Sequence, residues 1–238
     1  MRHKSLIGLL LILVLILISL GNYIQKIKMH RVSNIIDISK PDTKPKYTIH
    51  IEVDKKRLSL IDRENEHVVK IYPIATGKAS SPTPLGSFKI VDKAIWGEGF
   101  GSRWLGLDIP WGIYGIHGTN EPGSIGRNVS AGCIRMFNDH IEELYNIVPH
   151  NTKVLISDGL YGPFGSYFRT LRPGDRGADV LEVQKRLKQL GYYQADLDGI
   201  YGESMKRALV DFLKDEKMDL TDKITEDIYE RLGIILMD

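Results

Sequence analysis

From Tyr47 onward apolar and polar residues alternate, with Tyr47, Ile49, Ile51 and Val53 set against Thr48, His50, Glu52 and Asp54. A period of two predicts a strand with one buried face. Leu58 and Leu60 continue the pattern as a hairpin partner, and Val68, Val69 and Ile71 as a further strand. The turn-rich run Ser80-Ser81-Pro82-Thr83-Pro84-Leu85-Gly86 interrupts the alternation before Phe88 and Ile90 resume it. Glycines at 97, 99, 101, 106, 112 and 115 then punctuate a stretch that holds Trp96, Trp104 and Trp111. Short strands separated by glycine turns predict a mainly β domain. The period lengthens at Ile141, Leu144, Tyr145 and Val148, which predicts one helix. Asp139 and Glu142 stand at capping-box spacing at its start, and Pro149 stops it. Lys153 to Ile156 reads as a closing strand.

The pattern changes again beyond a connector at 158–169. Val180, Val183, Leu187 and Leu190 mark an amphipathic helix ending at Gly191. Met205, Leu209, Phe212 and Leu213 mark a second, and Ile228 and Leu232 a short third behind Thr225. Three helices in so short a stretch predict a small, separate α domain. At the other end, Leu6 to Leu20 carries no charge and follows Met-Arg-His-Lys. With Tyr23 and Ile24 it reaches the length that spans a bilayer, and the basic residues before it predict a cytoplasmic N-terminus with the remainder exported. A cleaved signal peptide shares these features, but no Ala-x-Ala site is present, which favours an uncleaved anchor. Lys26, Lys28, Arg31, Lys40, Lys44 and Lys46, with Pro41 and Pro45, then form a basic exposed linker. The expected division is an anchor at 1–24, a linker at 25–46, a β domain at 47–157, a connector at 158–169 and a helical domain at 170–237.

A chain of 238 residues suits this division, and a formal net charge of +2 gives no case for nucleic-acid binding. Its one cysteine, Cys133, lies in Ser130-Ala131-Gly132-Cys133-Ile134-Arg135-Met136 and excludes any intramolecular disulfide. A free cysteine is commonly a small buried apolar residue. It is also a nucleophile wherever an imidazole takes its proton. His117, in Gly115-Ile116-His117-Gly118, is the candidate base and later the acid, with the loop from Thr119 to Val129 returning the chain so that the two meet. No carboxylate is placed to orient the ring, which leaves a backbone carbonyl for that task. The amides of Gly132 and Cys133 suit an oxyanion. Arg135 suits either bidentate capture of a carboxylate or a structural ion pair. Ser130 suits either a bond to substrate or the holding of the turn. Trp96, Trp104, Trp111 and Tyr114 belong either to a groove or to packing. The other histidines show no ligand spacing.

Residues 47–157 resemble an L,D-transpeptidase catalytic domain of the YkuD type. The resemblance rests on Thr76-Gly77-Lys78, Pro82 to Phe88, Tyr114 to Thr119 and Ser130 to Met136, in that order. It implies a β-sandwich with a short helix, Cys133 as nucleophile, His117 as general base and acid, and the Gly118 carbonyl as the third member. Ala131 departs from the pattern, since many relatives carry histidine there, and leaves His117 as the motif's single imidazole. The implied substrates are peptidoglycan stem peptides. Cys133 attacks the carbonyl between residue three and D-Ala, D-Ala leaves, and the amine of another stem resolves the thioester as a 3→3 cross-link. Water as acceptor makes the same site an L,D-carboxypeptidase, and a domain that kept only its fold makes a non-catalytic wall-binding protein. Acylation by carbapenems is implied, and neither metal nor organic cofactor. Residues 170–237 resemble a three-helix peptidoglycan-binding domain through Leu171 to Val180, Leu190-Gly191-Tyr192 and Asp198-Gly199-Ile200-Tyr201-Gly202; Asp222-Lys223-Ile224-Thr225 departs from the expected third turn. The partners so implied are stem peptides, glycan strands and, through the N-terminal helix, the bacterial membrane. Both domains are then expected on its outer, cell-wall side.

Overall fold

The computed structural model describes residues 45–235 except 160, 161 and 166. The expected anchor and nearly all of the basic linker lie outside the described residues. Among those described, no helix is long and apolar enough to cross a membrane.

The β domain is built from β1 (Tyr47–Glu52), β2 (Arg57–Asp62), β3 (Val68–Pro73), β4 (Thr76–Gly77), β5 (Gly86–Ile95), β6 (Arg103–Leu107), β7 (Tyr114–His117), β8 (Asn128–Ser130), β9 (Ile134–Arg135) and β10 (Lys153–Ser157). Eight of them hydrogen-bond in the order β3-β2-β1-β10-β5-β6-β7-β9, while β4 pairs β8. The expected sandwich is thus one continuous order joined through β5. Gly86 to Lys89 pairs with β10, Ile90 onward pairs with β6, and the register shifts between Ile90 and Asp92. Such an irregularity bends a strand and lets it serve both halves. Ile49 and Ile51 of β1, Leu105 of β6, Ile116 of β7 and Ile134 of β9 meet in a single core with no exposed surface.

One local expectation holds with a refinement, and one is corrected. Val68, Val69 and Ile71 do form a strand, but on the sheet edge, where they are about half exposed and only Tyr72 is buried. Lys70 on this edge pairs with Glu143 (2.6 Å), and edge charge of this kind blunts strand addition. The helix α1 (Asn138–Ile147) begins with Phe137 at its N-cap and no side-chain cap. Asp139 sits inside the first turn and accepts the His140 amide instead (2.9 Å), and Glu142 faces Arg103 (3.9 Å).

The helices α2 (Ala178–Gln189), α3 (Glu203–Asp215) and α4 (Glu226–Arg231) enclose a second core around Leu187, Leu209 and Phe212. Leu190, expected on the apolar face, is 41% exposed because the helix closes there and Gly191 turns the chain at φ +91°. Buried Gln184 donates to Asp198 (2.8 Å) and accepts the Gly199 amide (2.8 Å), which fixes the turn before α3. The β domain docks on that turn. A methyl on Gly199 would lie 2.4 Å from the Trp111 ring, and Trp111 is 5% exposed with Phe88 edge-on to it at 5.9 Å. Ala178, Leu181 and Ile200 join the β-domain core from the helical side.

Candidate active site

β7 and β9 run parallel, with Ile116 opposite Ile134 and His117 opposite Arg135. Ile116 and Ile134 face the core and are fully buried. Alternation then places His117 and Arg135 on the other face, together with Gly115 and Cys133, two residues before them. The sequence-predicted nucleophile and base therefore share one face of a two-strand seam. The Gly115 backbone is close enough to the thiol to favour its charged form. A methyl on Gly115 would meet Trp104 and the Leu105 carbonyl oxygen at 2.6 Å, so only glycine fits under that ring.

His117 is 3% exposed, and its Nδ1 lies 2.6 Å from the Gly118 carbonyl oxygen. A carbonyl only accepts, so Nδ1 carries the proton and Nε2 is left as an acceptor. The Phe100 backbone also acts on the ring and favours its charged form. The Phe100 ring covers the imidazole edge-on at 5.1 Å, and Trp104 lies beneath it at 6.0 Å, itself stacked on Trp96 at 4.9 Å. Burial holds His117 below the usual imidazole range, against these two backbone groups, and the Arg135 charge adds to the lowering. Burial also pushes the Cys133 thiol up, opposed by the Gly115 backbone and by Arg135. Both shifts favour the neutral form of each group.

The turn into β9 is held by Ser130. Its hydroxyl donates to the Cys133 carbonyl (2.6 Å) and accepts the Gly132 amide (3.1 Å). Of the two roles open to Ser130, these bonds are those of holding the turn, and they engage the Gly132 amide while leaving the Cys133 amide outside the set. Gly132 has φ +116° and packs its α-carbon against Tyr114, whose ring a methyl would approach to 2.6 Å. Arg135 forms the ion pair among its two readings, Nη1 to Glu121 at 2.8 Å, while its buried Nε has no hydrogen-bond partner. Trp104 and Trp111 are core residues, and Trp96 is 39% exposed. Among the described residues no group of three or more His, Cys, Asp or Glu is arranged to hold a metal.

Residues 46–156 match the family described as the L,D-transpeptidase catalytic domain, and residues 176–232 match a peptidoglycan binding domain. A protein of Bacillus licheniformis named L,D-transpeptidase YkuD is 47% identical over 121 residues, which span 50% of this chain and 70% of that protein. The chain belongs to the L,D-transpeptidase family. A second relative, L,D-transpeptidase YqjB of Bacillus subtilis, is 38% identical over 46% of this chain and 71% of its own length. Among solved structures, the catalytic domain of an E. faecium L,D-transpeptidase aligns over 48% of this chain and 98% of its own, at 23% identity and a TM-score of 0.40.

Of four further residues around the candidate site, three escaped the sequence reading. Phe100 covers the imidazole, Tyr114 wedges the cysteine turn, Glu121 occupies Arg135, and Asn138 accepts the Ser102 amide (3.2 Å). Tyr114 was read as groove or packing, and it packs against the cysteine turn. The other three lie outside the two motifs, and only the chain path brings them in.

Proposed function

We propose that this protein is a peptidoglycan L,D-transpeptidase that works through a Cys133 thioester. The observation that carries the reading is the shared face of Cys133 and His117, with the imidazole's Nδ1 proton committed to the Gly118 carbonyl. Nε2 takes the thiol proton as sulfur adds to the carbonyl carbon between the third stem residue and D-Ala. The amide of Cys133 supports the oxyanion, since that of Gly132 is engaged by Ser130. Collapse breaks the C–N bond, and the imidazolium returns its proton to the departing D-Ala amine. A side-chain amine from a second stem then gives a proton to His117, attacks the thioester and releases the thiol, leaving a 3→3 cross-link.

Burial favours the neutral form of both groups, which makes proton transfer part of the attack rather than a step before it. The Arg135 guanidinium suits a stem carboxylate, which would take the place of Glu121. The helical module supports the same substrate by holding the enzyme on its polymer, which raises local substrate concentration. The apolar run from Leu6 to Leu20 supports a membrane-held protein with both domains on the wall side. The test is incubation of the purified protein with tetrapeptide muropeptides and mass analysis of the products. Dimers with loss of D-Ala are expected. Tripeptide alone would make the enzyme an L,D-carboxypeptidase, and unchanged tetrapeptide would leave only binding.

A further inference from the structure

His117 is bounded by two separate segments, Gly118 after β7, whose carbonyl accepts from Nδ1 at 2.6 Å, and Phe100 before β6, whose ring lies edge-on to the imidazole at 5.1 Å. One side chain touches both segments. The carboxamide oxygen of Asn138, at the first position of α1, accepts the Ser102 amide (3.2 Å), and the Ser102 hydroxyl returns to the Asn138 carbonyl (3.5 Å). The same oxygen sits where a methyl on Gly101 would lie 2.3 Å away and a methyl on Gly118 2.1 Å away. Gly101 follows Phe100 directly and has φ +64°, so the chain beside the Phe100 ring and the peptide that carries the Gly118 acceptor both press against this one amide. The two segments also meet each other, because a methyl on Gly101 would lie 2.4 Å from the Gly118 carbonyl carbon.

We propose that Asn138 is a positioning residue for the transpeptidase reaction. It clamps the Phe100–Ser102 and Gly118 segments together, so that the Gly118 carbonyl keeps the imidazole in the Nδ1-protonated tautomer under the Phe100 ring, with Nε2 left for the thiol. The proposal rests on the Cys133–His117 reading. Among the described residues the charge acting on His117 is the Arg135 guanidinium on β9, beside the titratable Cys133. The surfaces presented by β6 and by residue 100 are the uncharged rings of Trp104 and Phe100.

Cys133 is the single cysteine, so alkylation of the full chain by iodoacetamide, followed by intact mass, reads its reactivity without any wall substrate. Asn138→Ala is expected to slow alkylation at neutral pH by about tenfold to hundredfold, the usual effect of losing an outer-shell orienting partner. Nitrogen NMR of its His117 should show mixed tautomers in place of one. Asn138→Asp keeps an acceptor for Ser102 and suits a helix N-terminus, so its rate should stay near the parent's. Its added carboxylate should move the acid limb of the alkylation profile to higher pH. Parental rate, profile and tautomer in Asn138→Ala overturn the proposal. If Asn138→Ala does not fold, a parental acid limb in a folded Asn138→Asp overturns it instead. A His117→Asn variant alkylated as fast as the parent removes the Cys–His reading itself, which separates that failure from a failure at Asn138.

Discussion

The cysteine turn should be intolerant of a single methyl at Gly132. Two effects add there. A side chain at φ +116° is forced into a region that L-residues avoid, at about 1–3 kcal/mol. The methyl also enters 2.6 Å from Tyr114 Cε1, and the ring has no retreat, because a methyl on Gly112 would lie 2.7 Å from its other edge. Overpacking of this kind costs about 1–3 kcal/mol, and the stiffer unfolded chain offsets about 0.4–1 kcal/mol. The net is about 2–4 kcal/mol, or about 5–15 °C in Tm for a unit of this size. A shift of the sulfur by about 1 Å should slow acylation about a hundredfold. Gly126 supplies the control: φ is +87° and a methyl meets nothing within 4 Å, so Gly126→Ala should show only the backbone cost of about 1–2 kcal/mol. Differential scanning fluorimetry and the rate of Cys133 acylation by a carbapenem measure both variants. A Gly132→Ala protein that melts and acylates like Gly126→Ala would refute the wedge of Tyr114 against the turn.

Burial depresses His117 and raises Cys133, which fixes the sign of two pH effects. The neutral imidazole's contribution is present above the ordinary value of 6.5 and is lost as pH falls below it, so Tm should decline toward pH 5 and less so in His117→Asn. The neutral thiol's contribution is present below the ordinary value of 9.0 and is lost as pH rises beyond it, and Cys133→Ala should flatten that alkaline limb. Trp111→Ala empties the contact with the Asp198-Gly199 turn; a loss of about 3–5 kcal/mol should uncouple the two cores, giving two calorimetric transitions and faster proteolysis in 158–169. Glu121→Gln should lower KM for stems with a free carboxylate and leave kcat nearly unchanged, because the exposed ion pair it removes competes only for Arg135. An unchanged KM across stems with and without that carboxylate would detach Arg135 from substrate recognition.

The strands of the β domain were legible wherever one face is buried, as in β1, whose alternation runs straight into Ile49 and Ile51 of the core. β3 shows the limit. Its valines and Ile71 spell a strand, but nothing in the local pattern distinguishes an exposed edge from a covered interior. The two-residue strands β4 and β9 are too short to carry a period, yet β9, which begins directly after Cys133, sets Arg135 opposite His117. The Cys133–His117 pair was readable because its motifs carry their chemistry in adjacent residues. Asn138 and Phe100 were not, because their contacts depend on which glycine peptides α1 and residues 98–100 reach, a matter of long-range topology. The helix start failed for a related reason: Asp139 and Glu142 satisfy the spacing of a cap, but the chain enters at Asn138, which is anchored to Ser102.

The central claim is that Cys133 carries the acyl group. Intact mass analysis of the protein mixed with a tetrapeptide muropeptide, quenched in acid before acceptor is added, should show an adduct of the stem less D-Ala. Peptide mapping should place it on Cys133, and Cys133→Ala should give neither adduct nor free D-Ala. Release of D-Ala by Cys133→Ala, or an adduct on any other residue, would contradict the account.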